Sequence, residues 1–194
     1  MGSGKSLVCS LFERLGIPAF YADDEAKNLY NEPQLILRMK KQFGKSIYLS
    51  NGKLNKKKLS RLIFKDELAM QFIRDLIYPE LHKKFDEWAA KKALQHCKYV
   101  LYEAALILEN GFQDQFDQLI LVSAPKKLRI ERIKQRDKLS EKEINSRMEK
   151  QWPEEEKMLL VDFIIENDGS KMLIPQVMAI HKALVFAGDS EAET

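Results

Sequence analysis

Apolar residues recur at helical spacing almost from the start of the chain. Leu7, Val8, Leu11, Phe12 and Leu15 follow a Gly/Ser-rich opening, which predicts a helix over 5–15 stopped by Gly16. The short run "IPAFYA" (17–22) then predicts a strand that ends in Asp23-Asp24. From 25 to about 96 the pattern is helical and polar, broken once by the turn "SNGKL" (50–54). Several helices are predicted there, with no sheet between them. Three compact apolar runs follow: "KYVLYEAALIL" (98–108), "FDQLILVSAP" (116–125) and "VDFIIEND" (161–168). Runs of this kind, separated by helical stretches, predict buried parallel strands of an α/β fold. The charged stretch 126–159 reads as helical; its second helix opens on the capping box Ser140-x-x-Glu143, and Pro153 starts the next. An amphipathic closing helix is predicted over 171–187 and a frayed tail over 188–194.

Composition narrows the class without naming a chemistry. A chain of 194 residues, 45% hydrophobic and 31% charged, suits a globular protein of one domain, or of one core with insertions. No stretch of eighteen apolar residues suggests a membrane span, and the opening lacks the apolar core of a signal peptide. Cys9 and Cys97 have no metal-type spacing and read as reduced thiols, so a cytoplasmic location is expected. The net charge of +3 is too small to argue for nucleic acid, and neither a nucleic acid nor a membrane partner is expected. Basic residues cluster in "KLNKKKLSR" (53–61) and "KKLRIERIKQR" (126–136). Such runs are solvated helix faces, or a seat for a small polyanion when they lie near a phosphate loop.

That loop is the first candidate for chemistry. The phosphate-loop pattern is G-x-x-x-x-G-K-[ST] after a strand. "GSGKS" (2–6) supplies its end, with helical periodicity starting at once. Glycines let successive backbone N–H groups turn toward phosphate oxygens at a positive helix terminus. Lys5 would pair with the β- and γ-phosphates and the Ser6 hydroxyl would sit on Mg²⁺. The plain alternative is a flexible Gly/Ser opening. A carboxylate after the second strand of such a fold would face the phosphates, and Asp23 fits as acceptor of a substrate hydroxyl's proton. Asp23 or Asp24 would serve equally as cap of a helix starting near Glu25. Glu103 reads either as a second acid in the same crevice or as an ordinary strand-edge residue.

Taken together, these segments resemble dephospho-CoA kinases, P-loop kinases that use ATP to phosphorylate the ribose 3′-hydroxyl of dephospho-CoA. The likeness covers nearly the whole chain in order. "GSGKS" (2–6) resembles the family's loop end, and "YADDEAK" (21–27) its D-A-D-x-x-A-R. "NGKLNKKKLSRLIF" (51–64) resembles G-x-L-x-R-x-x-L…IF, and "LIYPEL" (76–81) resembles L-x-H-P-x-[IL] with Tyr78 where histidine is usual. "EAALILE" (103–109) resembles D-x-P-L-L-F-E, with glutamate and alanine for the usual aspartate and proline. "RIKQRDKLSEKEINSRMEKQ" (132–151) resembles the family's lid, and "DFIIENDG" (162–169) its D-x-[VI]-I-x-N-[DN]-G.

The resemblance implies a P-loop NTPase-type α/β fold: a doubly wound parallel sheet with a helical substrate-binding insertion and a helical lid. The nucleotide-binding core would comprise 1–23, 97–125 and 153–187, the CoA-binding insertion 24–96 and the lid 126–152. It implies Asp23 as catalytic base. Gly2, Ser3, Gly4, Lys5, Ser6 and Leu7 would lie around the ATP phosphates, and Ser6 and Glu103 at Mg²⁺. Arg132 and Arg136, joined by Arg147, would close over the phosphates, with surface ion pairing to Asp137, Glu141 and Glu143 as the alternative. Asn167 would lie near the adenine. Without the pattern's first glycine and preceding strand, two neighbouring strands lose hydrogen-bond partners, so the natural start is expected upstream, with weak or no activity for a chain starting at Met1. The competing readings are another small-molecule P-loop kinase and a catalytically impaired nucleotide or CoA binder. A GTPase switch is disfavoured because "NKKK" (55–58) lacks the aspartate of a guanine motif.

Overall fold

The computed structural model describes residues 1–138 and 140–191, and the chain divides into two compact units, 21–95 and the remainder. In the larger unit, helix α1 (Lys5–Arg14) starts directly after Gly4 and leads through Gly16 to strand β1 (Ala19–Tyr21), whose last residue opens the smaller unit. After the smaller unit come β2 (Leu101–Glu103) and β3 (Ile120–Ser123), then α6 (Lys126–Asp137), α7 (Glu141–Met148), α8 (Glu154–Met158), β4 (Phe163–Glu166) and α9 (Leu173–Glu191). The smaller unit holds α2 (Ala22–Leu29), α3 (Pro33–Phe43), α4 (Lys56–Lys65) and α5 (Glu67–Ala93).

The strands pair as β1–β2 and β3–β4 rather than as one continuous ladder. β3 and β4 run parallel, with Ile120 opposite Phe163 and Val122 opposite Ile165. Their side chains meet α1 and α9 in one core, where Val8, Phe12, Ile17, Val122, Ile165, Val177 and Ile180 are buried. This α/β arrangement is why the apolar stripe on α1 exists: it covers the sheet and so fixes where the helix begins.

Several predicted boundaries move. The run 98–108 yields only three residues of strand, because the chain bends after Glu103 and passes into a 3₁₀ turn at Leu108–Asn110. The run 116–125 likewise narrows to β3, since an apolar run marks burial while a strand needs a partner backbone. The segment after Asp24 is interrupted at three places rather than once, around 30–32, 44–55 and 66. Asn55 and Asp66 start α4 and α5 by accepting from Lys58 N at 3.1 Å and from Leu68 N and Ala69 N at 2.9 and 3.2 Å. α5 carries Pro79 within its length. The closing helix runs to Glu191, into the predicted tail; 192–194 lie outside the described residues.

The smaller unit has its own core, with Leu29, Leu35, Met39, Ile47, Leu76 and Ile77 buried. The Tyr48 hydroxyl donates to the Tyr30 carbonyl at 2.8 Å, and Glu32 pairs with Lys84 at 2.6 Å. Among the described residues, no helix is long and apolar enough to cross a membrane.

Candidate active site

The site begins with what residues 2–4 leave unbonded. Among the described residues, the backbone N–H groups of Gly2, Ser3 and Gly4 donate to no protein acceptor. Gly4 is the N-cap of α1, and no side chain caps it. The first-turn N–H groups of the helix therefore add to the same array of donors. Donors clustered at a helix start form an anion site, with the helix dipole favouring negative charge.

Two glycines are dictated by space as well as by dihedral angle. Gly2 (φ 75°) lies against α6, where a Cβ would stand 2.7 Å from the Arg129 carbonyl oxygen. Gly4 (φ 96°) lies against Asn167, whose Nδ2 would be 2.3 Å from a Cβ. Any side chain at either position would displace the loop from the groups that support it.

Those supports come from α6 and from the residue after β4. Asn167 is 7% exposed. Its Nδ2 donates to the Ser3 carbonyl at 2.7 Å, while its Oδ1 accepts from Arg132 at 3.2 Å. Arg132 also reaches the Ser3 carbonyl, at 3.5 Å. Asn167 N is itself tied to Ser123 O at 2.8 Å, so the ends of β3 and β4 hold the residue in place. Asp168 closes the turn beyond it, accepting from Lys171 N (3.0 Å), Ser170 N (2.8 Å) and Ser170 Oγ (2.9 Å). Those bonds to its ionised form hold its carboxyl down to about 2.

At the front of the loop, Lys5 Nζ lies 3.5 Å from Glu103 Oε1 at the end of β2. The Glu103 carboxylate is largely enclosed and the ammonium partly open. Ser6 and Leu7 are exposed on the first turn of α1. Two hard oxygen groups, the Ser6 hydroxyl and the Glu103 carboxylate, suit Mg²⁺ completed by phosphate and water. Among the described residues there is no group of three or more His, Cys, Asp or Glu side chains that would hold a metal alone.

The remaining candidates separate by environment. Arg132 is the one of the three candidate arginines bonded to the loop, through the Ser3 carbonyl. Arg136 donates to its neighbour Asp137 through Nε at 2.7 Å and through a terminal nitrogen at 2.9 Å, and Arg147 is exposed on α7. The capping box of α7 is present, with Glu143 N donating to Ser140 Oγ and Ser140 N to Glu143. Asp23 lies in the smaller unit, on the first turn of α2. That helix starts at Ala22, with Tyr21 as its N-cap, so neither Asp23 nor Asp24 has the capping role. Asp24 pairs with Lys27 at 2.6 Å, whereas Asp23 is exposed and, among the described residues, has no ion-pair partner.

Sequence reasoning missed Arg129 and Glu154, which join at 2.7 Å behind the loop. Spacing held a signal: Arg129, Arg132 and Arg136 recur at three and four residues along α6.

The family model for dephospho-CoA kinase matches residues 1–172. A dephospho-CoA kinase of Bacteroides fragilis is 34% identical over 182 residues, which cover 93% of this chain and 87% of that protein. One from Aquifex aeolicus is 33% identical over 171 residues, covering 88% and 86%. Among solved structures, TT1252 from Thermus thermophilus superposes with a TM-score of 0.81 at 28% identity, over 94% of this chain and 92% of that one. The dephospho-CoA kinase from Campylobacter jejuni shares the fold, with a TM-score of 0.58 at 24% identity over 93% and 91%. With the family model spanning most of its length, the chain belongs to the dephospho-CoA kinase family.

Proposed function

We propose that this chain transfers the γ-phosphoryl group of ATP to the ribose 3′-hydroxyl of dephospho-CoA, giving coenzyme A. The observation that carries the reading is the set of N–H groups at Gly2–Gly4, unpartnered among the described residues, at the head of the helix that starts at Lys5.

Phosphoryl transfer is chiefly positioning and neutralisation of charge. In this reading the loop amides hold the phosphate oxygens, and Lys5 exchanges Glu103 for the β- and γ-phosphates. Ser6 and Glu103 would hold Mg²⁺, which when bound supplies charge neutralisation at those phosphates. Arg132 extends the positive wall from α6, and Arg136 and Arg147 complete it as the lid 126–152 closes. Arg136 must then leave Asp137, an exposed pairing of low cost. Asp23 accepts the proton of the attacking hydroxyl, and its lack of an ion-pair partner, beside the occupied Asp24, favours it for that role. The segment 24–96 takes dephospho-CoA, with its lysines and arginines facing a pyrophosphate-bearing substrate.

The test is turnover with ATP, Mg²⁺ and dephospho-CoA, compared with Asp23→Asn. The expected loss in kcat is about 10²–10⁴-fold, with nucleotide affinity unchanged. A loss below tenfold would remove Asp23 from the role of general base.

A further inference from the structure

Taking the proposed ATP site as given, we infer that Arg129 is a positioning residue for the phosphate loop, acting on its backbone rather than on the nucleotide. Arg129 is on the first turn of α6, its side chain 13% exposed. All three of its donor nitrogens are engaged. Nε donates to the Met1 carbonyl at 3.0 Å, one terminal nitrogen to Glu154 Oε2 at 2.7 Å, and the other to Gln151 Oε1 at 3.1 Å. Glu154 is anchored in turn: its other oxygen accepts from the Ser123 hydroxyl and from Ala124 N, the latter at 3.2 Å. The guanidinium is therefore fixed to the end of β3 and the start of α8 before it touches the loop.

The consequence follows from peptide geometry. A trans peptide unit is planar, so a held carbonyl points the N–H of the next residue the opposite way. Arg129 takes the carbonyl of Met1, and Asn167 takes that of Ser3. The N–H groups so aimed are those of Gly2 and Gly4, two of the three that have no protein acceptor among the described residues. Alternate carbonyls are tethered behind the loop, and alternate amides are thereby presented in front. Arg129 also lines a cavity of about 90 Å³ bordered by Met1, Ser3, Lys5 and Gln151. A shorter or single-headed side chain there leaves room for water to compete for the Met1 carbonyl.

Arg129→Lys keeps the charge but cannot bridge the Met1 carbonyl, Glu154 and Gln151 together. The expected result is a KM for ATP raised about tenfold or more, the scale of one lost charged hydrogen bond. KM for dephospho-CoA should stay near that of the unaltered chain. Glu154→Gln, which releases the guanidinium from its anchor, should raise KM for ATP in the same direction by a smaller factor. It also serves if the lysine variant does not fold. An ATP KM within twofold of the parent in a folded variant overturns the inference, even if stability falls. Failure of the unaltered chain to bind ATP in an equilibrium titration would instead overturn the underlying functional reading.

Discussion

Cys9 lies one turn along α1 from Lys5, on the buried side of the helix. Burial, with the negative charge of Glu103 second, pushes its thiol up to about 12. Thiolate at that position is negligible at neutral pH, so the side chain behaves as a small apolar residue. With iodoacetamide at pH 8, the partly exposed Cys97 should be alkylated in the native chain and Cys9 only in denaturant. Comparable native labelling of both would mean that α1 opens far more readily than its core position implies. The apolar side of α1 was legible at Val8, Leu11, Phe12 and Leu15 because helical spacing assigns a face, whereas Leu7, read as part of the same stripe, is exposed on the first turn. The neighbouring acids were not: Asp23 and Asp24 are the same residue type in adjacent positions, and only the ion pair to Lys27 distinguishes them.

Elements differ in how much of their definition is local. The box at Ser140 and Glu143 was readable because capping needs only a four-residue spacing, and it is present at the head of α7. With eight residues, α7 is too short to persist unaided and depends on its cap and on buried Ile144. Ser140→Ala should cost about 1 kcal/mol at that end. Amide exchange in the first turn of α7 should then speed up about fivefold, while α1 and α9 are unaffected. Equal rates in parent and variant would show that packing, not the cap, holds the helix. The strands are the opposite case. "KYVLYEAALIL" is mostly apolar, but only Leu101–Glu103 forms strand, so its apolar content overstated the strand.

For the whole molecule, the division into two units predicts a division of labour between two ligands. ATP should protect amides of residues 2–8 and of the turn at 167–171, and dephospho-CoA those of the helices within 21–95. Hydrogen exchange with each ligand added alone measures this. Saturation at a hundredfold excess over Kd should also add about 2.7 kcal/mol to the stability of the state that binds. Protection of the loop by dephospho-CoA alone would contradict the assignment of ATP to that loop.

Order along the chain, together with the loop, lid and turn motifs, was enough to point to the α/β class, the helical insertion and the family. Each of those signals rests on residues a few positions apart, whose spacing reports local geometry. What supports the loop was decided in three dimensions. Ser3 and Asn167 are joined by a hydrogen bond across 164 positions, and Met1 and Arg129 by one across 128. No local spacing records such a pairing, because it exists only once β3 and β4 have paired and α6 has packed against Gly2.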